Sequence, residues 1–152
     1  MWTQLFLIVG GWVAVEVATH KLQTHMVAKQ AREVADRLGK PMLNYGCGAT
    51  SYGDVNADVE PREVRNFMLI NPIPDSLPFP NGFFGSVICS HVLEHVPDPD
   101  FLLQELSRVA DEVFIITPQP MFLGTWLSPG HRWVFYPDGR RIKLRDYEGV
   151  RS

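Results

Sequence analysis

The stretch from Met42 to Asp58, MLNYGCGATSYGDVNAD, limits what this chain can fold into more than any other. A short apolar run stops in two glycines, Gly46 and Gly48, and a second short run ends on Asp58. A strand ending in such a turn lets a ligand approach the backbone of Gly46, Cys47, Gly48 and Ala49 closely, because the glycines carry no side chain. A carboxylate at the tip of the next strand is placed to accept hydrogen bonds from a ribose. The layout predicts a nucleotide-type pocket, although paired glycines also occur in ordinary turns and Asp58 also suits a helix cap or turn acceptor.

The segments downstream agree with a sheet. Phe67 to Ile70, Ser86 to Cys89 and Val113 to Thr117 are short apolar runs bounded by turn residues, and with Pro41 to Tyr45 and Asp54 to Asp58 they read as five buried strands. Pro97 to Ala110 reads as a helix, with acids at its start and an Arg in its last turn. Strands alternating with helices predict an open parallel α/β sheet. The first two strands lie closer in sequence than a helical crossover needs, so an irregular loop or a different register must join them. Further on, Trp133 to Tyr136 and Arg141 to Leu144 flank Pro-Asp-Gly-Arg and predict a β-hairpin added at an edge.

At 152 residues there is chain enough for one buried core. A net charge of −3, with no face-wide basic excess, argues against nucleic acid as a partner. Cys47 and Cys89 lack zinc-site spacing and are too few for a disulfide scaffold, which makes a reducing compartment the default.

The amino-terminal part has a different character. Trp2 to Thr19 carries one charge, Glu16, and is apolar without a break from Leu5 to Val15. As a helix it would span roughly 27 Å, just short of a bilayer core, with Trp2 and Trp12 as candidate interface anchors. A single-pass anchor, a buried or partner-facing helix and a cleaved signal peptide all compete; no basic residue precedes the run, which disfavours the last. From His20 to Lys40 the pattern turns amphipathic, with Leu22, Met26, Val27, Val34 and Leu38 on one predicted face, ended by Gly39 and Pro41. Lys21, Lys29, Arg32, Arg37 and Lys40 suit either a solvated face or anionic head groups. With an anchor, they put the main domain on the cytoplasmic side. The division expected is a hydrophobic helix over residues 1–20, an amphipathic helix over 21–40 and the main domain over 41–152.

Taken in order, LNYGCGAT, NADVEP, LPFPNGFF, VICSHVLEHVPDP and LLQELSRVADEVFIITPQP resemble the class I S-adenosylmethionine-dependent methyltransferases over roughly residues 41–120. The resemblance implies a three-layer, Rossmann-like sheet of order 3-2-1-4-5 with S-adenosylmethionine as cofactor. It puts Gly46, Cys47, Gly48 and Ala49 at the methionine portion, Asp58 on the ribose hydroxyls, Asn71 near the adenine and Ser90 at the open end of the sheet. Leu77 and Phe79 would form an apolar wall or simply core. His91 is the first candidate for a base, followed by His95 and His131, should the acceptor carry a proton that must leave. The segment Gly130-His131-Arg132-Trp133 is a candidate part of the acceptor pocket.

Three departures stand out: Asn44 and Gly85 replace acids usual in the family, and Thr50 replaces a third glycine. They keep open a second expectation, a catalytically degenerate domain serving as accessory subunit of a membrane complex. The partners expected are the membrane through the first helix, other subunits of such a complex, and a small-molecule or lipid acceptor. His91-Val-Leu-Glu94-His95 also fits the HxxEH zinc-peptidase pattern, which needs the motif inside a helix. Here it follows a strand and is cut off by Pro97 and Pro99, so no metal is expected; a structural role for these side chains is the plainer alternative.

Overall fold

The computed structural model describes residues 2–71 and 75–145, with side chains from Glu16 onward. The apolar runs form β1 (Met42–Tyr45), β2 (Val55–Asp58), β3 (Phe67–Leu69), β4 (Phe84–Ser90) and β5 (Ala110–Ile116). They make one parallel sheet of order β3-β2-β1-β4-β5, the order implied by the resemblance. The strand order reverses at β1, so its glycine turn stands at the switch point where ligands of such sheets bind.

Two crossovers lack a helix: residues 46–54 and 59–66 join parallel neighbours as loops. Asn56, fully buried in β2, holds both of them. Its amide donates to the carbonyls of Gly53 and Arg65, and its Oδ1 accepts from the Gly53 amide and from Asn44 Nδ2. Asn44, its neighbour across the β1–β2 register, donates also to the carbonyl and hydroxyl of Thr50. Two of the three departures from the family pattern thus bond to each other to fix a short crossover.

Alternation along the strands divides the core. Leu43, Tyr45, Val87 and Cys89 pack in the cluster that holds Leu102, Leu106 and Val109 of helix α2 (Pro99–Val109). Met42 and Ile88 face the opposite way, onto α1 (Trp2–Leu38). One continuous helix therefore runs through the boundary expected near residue 20. Its buried stripe is Ala28, Ala31 and Ala35, whereas Leu22, Met26 and Leu38 are exposed, contrary to the face predicted from large apolar residues. The alanines win because a flat stripe lets α1 approach β4 closely.

That approach accounts for the third departure. A Cβ at Gly85 would lie 3.0 Å from Ala35 Cα and 3.1 Å from Lys40 Cβ, so the acid usual there would fit only with α1 pushed outward by a few tenths of an ångström. Restoring it by Gly85→Asp is expected to cost at least about 2 kcal/mol of stability, read in urea denaturation, with Gly85→Ala intermediate.

Among the described residues no helix is long and apolar enough to cross a membrane, which overturns the single-pass anchor and the cytoplasmic placement that followed from it. The apolar run continues directly into a polar stretch, three of whose basic residues are held by the body of the protein. Arg32 pairs with Asp54 at 2.7 Å, Arg37 with Glu112 at 3.6 Å and Lys40 with Asp111 at 2.6 Å. The side chains of Trp2 and Trp12, the expected anchors, lie outside the described residues.

Past β5, a short helix α3 (Leu123–Leu127) precedes the predicted hairpin, β6 (Trp133–Phe135) and β7 (Arg141–Lys143). The hairpin pairs only with itself rather than adding to the main sheet. It docks on the segment after β4: the amides of Arg132 and Trp133 donate to the Glu94 carbonyl, and Trp133 Nε1 to that of Val96.

Candidate functional site

A cavity of about 650 Å³ opens where β1, β2 and β3 end and the segment after β4 begins. Gly46, Gly48, Asp58, Arg62, Ile70, His91, Val92, His95 and Arg132 are among the residues lining it. Its volume falls in the range of pockets that take ligands of nucleoside size, about 300–1,000 Å³.

The glycine turn is clamped to β2. The amides of Gly46 and Cys47 both donate to the Ala57 carbonyl, at 2.8 and 3.0 Å, and that of Gly48 to Asp58 Oδ2 at 2.9 Å. What the glycines leave for a ligand is therefore space more than free donors. Gly46 has φ +68°, and a Cβ there would meet Val92 Cγ2 at 2.2 Å. Asp58 is only 7% exposed and accepts two further bonds, from the Glu60 amide and from Arg62 Nε at 3.3 Å. Its carboxylate is thus both part of the cavity wall and the pin that holds the turn. Arg62 is a site residue that the sequence reading missed, and its spacing four residues after Asp58 was the available signal.

The other expected contacts divide. Cys47 is buried, with Sγ 3.7 Å from the Gly48 carbonyl, and burial raises its thiol above the ordinary pKa, with Asp58 adding to the effect. Ala49 is exposed. Asn71 is exposed too, and the end of β3 is represented in the cavity wall by Ile70. Ser90 turns to α1, where its hydroxyl lies 3.0 Å from that of Thr24. Leu77 and Phe79 take the core alternative: Leu77 is buried and Phe79 packs edge-on against Phe84. Tyr45, nearly buried yet touching the cavity, has its phenol raised by burial, then by Cys89 and Asp58.

The three histidines come together. His91 leaves β4 with φ +56°, a left-handed conformation that costs a non-glycine residue about 1–3 kcal/mol and is commonest at functional sites. Its ring lies 4.8 Å from that of His20 on α1. His20 is held below its ordinary pKa by burial and by His91, against the opposing pull of Glu16 and Glu94. His95 lines the cavity beside His91, and His131 stands behind it with ring centroids 4.9 Å apart. The HVLEH segment is a turn rather than a helix, as Pro97 and Pro99 require. Glu94, considered in the sequence only within that motif, is 1% exposed at its centre.

A five-stranded parallel sheet with a glycine turn at its switch point and an acid closing the next strand defines a Rossmann-like, nucleotide-type domain. Residues 54–112 match the family described as a methyltransferase domain. This match and the sheet order together support the class I S-adenosylmethionine-dependent methyltransferase family, whose members typically use S-adenosylmethionine. The matched segment is under half of the chain and includes Asp58, His91 and His95, but neither the glycine turn nor His131. No curated protein and no solved structure matches the chain.

Proposed function

We propose that this chain transfers a methyl group from S-adenosylmethionine. The observation that carries the proposal is the placing of Gly46, Gly48 and Asp58 in one cavity wall at the switch point of the sheet. In this reading the cofactor's methionine portion lies over the glycine turn. Asp58 accepts from the ribose hydroxyls as Arg62 gives way, and the sulfonium points toward His91 and His95. Methyl transfer is an in-line displacement with a good leaving group, so positioning and exclusion of water are the main tasks. His91 takes the acceptor's proton where there is one to lose. The acceptor is a small molecule reaching the cavity from the His95 and Arg132 side.

A second reading, a degenerate domain kept as an accessory subunit, is favoured by Asn44. Its amide nitrogen donates to Thr50 and Asn56, and the side chain brings no charge to the turn. Calorimetric titration of the full chain with S-adenosylmethionine separates the two. Micromolar binding is expected, weakened at least about 100-fold in Asp58→Ala through loss of hydrogen bonds to a charged acceptor. A thermal melt of the variant shows whether it remains folded. No heat of binding at millimolar cofactor would sink the enzymatic reading.

A further inference from the structure

Four of the chain's five histidines, His20, His91, His95 and His131, gather around Glu94, and the fifth, His25, lies apart near Tyr52. Glu94 is 1% exposed, and among the described residues neither of its side-chain oxygens has a hydrogen-bond partner. His91 Nδ1 at 3.4 Å and His95 Nε2 at 3.9 Å approach it without closing a bond. A buried carboxylate without donors is strongly disfavoured unless a cation compensates it.

The neighbouring rings are oriented as metal ligands are. His95 Nδ1 lies 2.9 Å from the Gly130 carbonyl, and His131 Nδ1 lies 2.9 Å from the Thr125 carbonyl. A carbonyl can only accept, so each Nδ1 carries the proton and Nε2 is the nitrogen left to face a cation. A backbone carbonyl on the far nitrogen is the usual outer support of a metal-binding histidine. Ligand atoms from Glu94, His95 and His131 all lie within 4.8 Å of one another. Tetrahedral zinc, with bonds of about 2.0–2.1 Å, sets its ligands about 3.4 Å apart. His95 Nε2 already lies 3.9 Å from Glu94 Oε1, and its side chain, 45% exposed, is free to adjust.

We infer that Glu94, His95 and His131 form a binding site for a divalent transition-metal cation of the zinc type. Two imidazoles and a carboxylate are a donor set for Zn²⁺ or Fe²⁺. It is not the HxxEH arrangement: Glu94 is a ligand, and the third ligand arrives with the hairpin, whose Arg132 and Trp133 amides bond the Glu94 carbonyl. Since His95 lines the cavity, a cation held here stands in its wall. The inference does not rest on methyl transfer.

The test uses the full chain, stripped of metal by a chelator and titrated with Zn²⁺ against a chromophoric competitor, then with Co²⁺. One equivalent of Zn²⁺ bound below micromolar concentration is expected, with visible Co²⁺ bands of tetrahedral intensity. Glu94→Gln, nearly isosteric, and His95→Ala, at an exposed position, should each weaken Zn²⁺ at least about 100-fold. His25→Ala should leave it unchanged. Failure of the wild-type chain to take up Zn²⁺ at micromolar concentration overturns the site, as does wild-type affinity in both Glu94→Gln and His95→Ala. Circular dichroism of each variant separates lost ligands from lost fold, and neither outcome depends on whether S-adenosylmethionine binds.

Discussion

Gly46→Ala is expected to abolish binding of S-adenosylmethionine and to lower stability by about 2–5 kcal/mol. Two independent effects add. The backbone at φ +68° is in the left-handed region, which costs an L-residue roughly 1–2 kcal/mol. The new Cβ would also stand 2.2 Å from Val92 Cγ2, so either the valine, which borders the cavity, or the turn itself must shift. Relief comes either by turning Val92 into the cavity, where it takes up ligand space, or by moving the turn away from the segment after β4, which draws the Gly48 amide off Asp58. The shares can be separated by adding Val92→Ala. Urea denaturation of the double variant should recover the steric share and leave the backbone share of about 1–2 kcal/mol. Full recovery in the double variant would mean that the backbone conformation at this turn is not constrained.

How much of this was legible in the sequence depended on whether local pattern or tertiary path decided the outcome. The strands were legible because each is a short apolar run that a doubly covered sheet demands. The strand order came from the resemblance, since no local pattern carries it. The buried face of α1 was not legible from hydrophobicity: Leu22 and Met26 have the larger side chains, but Ala31 and Ala35 have the shape that fits over Gly85. Ser90 illustrates a signal that was present and unused. Ser86, Ile88 and Ser90 share one face of β4 by alternation, and Ser86 Oγ donates to the Ala31 carbonyl just as Ser90 meets Thr24. That face belongs to α1, away from the cavity. Asp58 was placed correctly at the tip of β2, but its bonds to Gly48 and Arg62 follow the path of two loops that no periodicity encodes. The meeting of His131 with His95 likewise depends on where the hairpin docks, a contact between residues 36 positions apart.

Arg108→Ala is expected to lower stability by about 2–3 kcal/mol, through loss of the charge-assisted hydrogen bonds of a half-buried guanidinium. Arg108 Nε and Nη2 donate to Glu105 at 2.8 and 2.7 Å. The same guanidinium reaches the carbonyls of Leu77 and Phe79 and the side chain of Asn81, while Glu105 Oε2 accepts the Leu77 amide at 2.7 Å. Two side chains on α2 thus hold residues 77–81, which carry Leu77 and Phe79 into the core and lead into β4. Lysine offers no planar fork, so Arg108→Lys should recover only a small part of the loss. Acid should act through the same pair. The bond to Arg108, then the Leu77 amide and the Arg108 charge, outweigh desolvation and hold the Glu105 carboxyl below its ordinary pKa. A depressed folded-state pKa contributes stability that is complete above the ordinary glutamate value of about 4.3 and is lost as pH falls through the lowered one. The stability gap between the wild-type chain and Glu105→Gln should accordingly be widest near neutrality and shrink in that acid window, followed by urea denaturation at each pH. Residues 77–81 do not line the cavity, so Arg108→Ala, assayed well below its melting temperature, should keep its affinity for S-adenosylmethionine. A gap that stays constant through the acid window would mean that the bonds to Leu77 and Arg108 do not need the charge on Glu105, and that the loop is held by its apolar side chains alone.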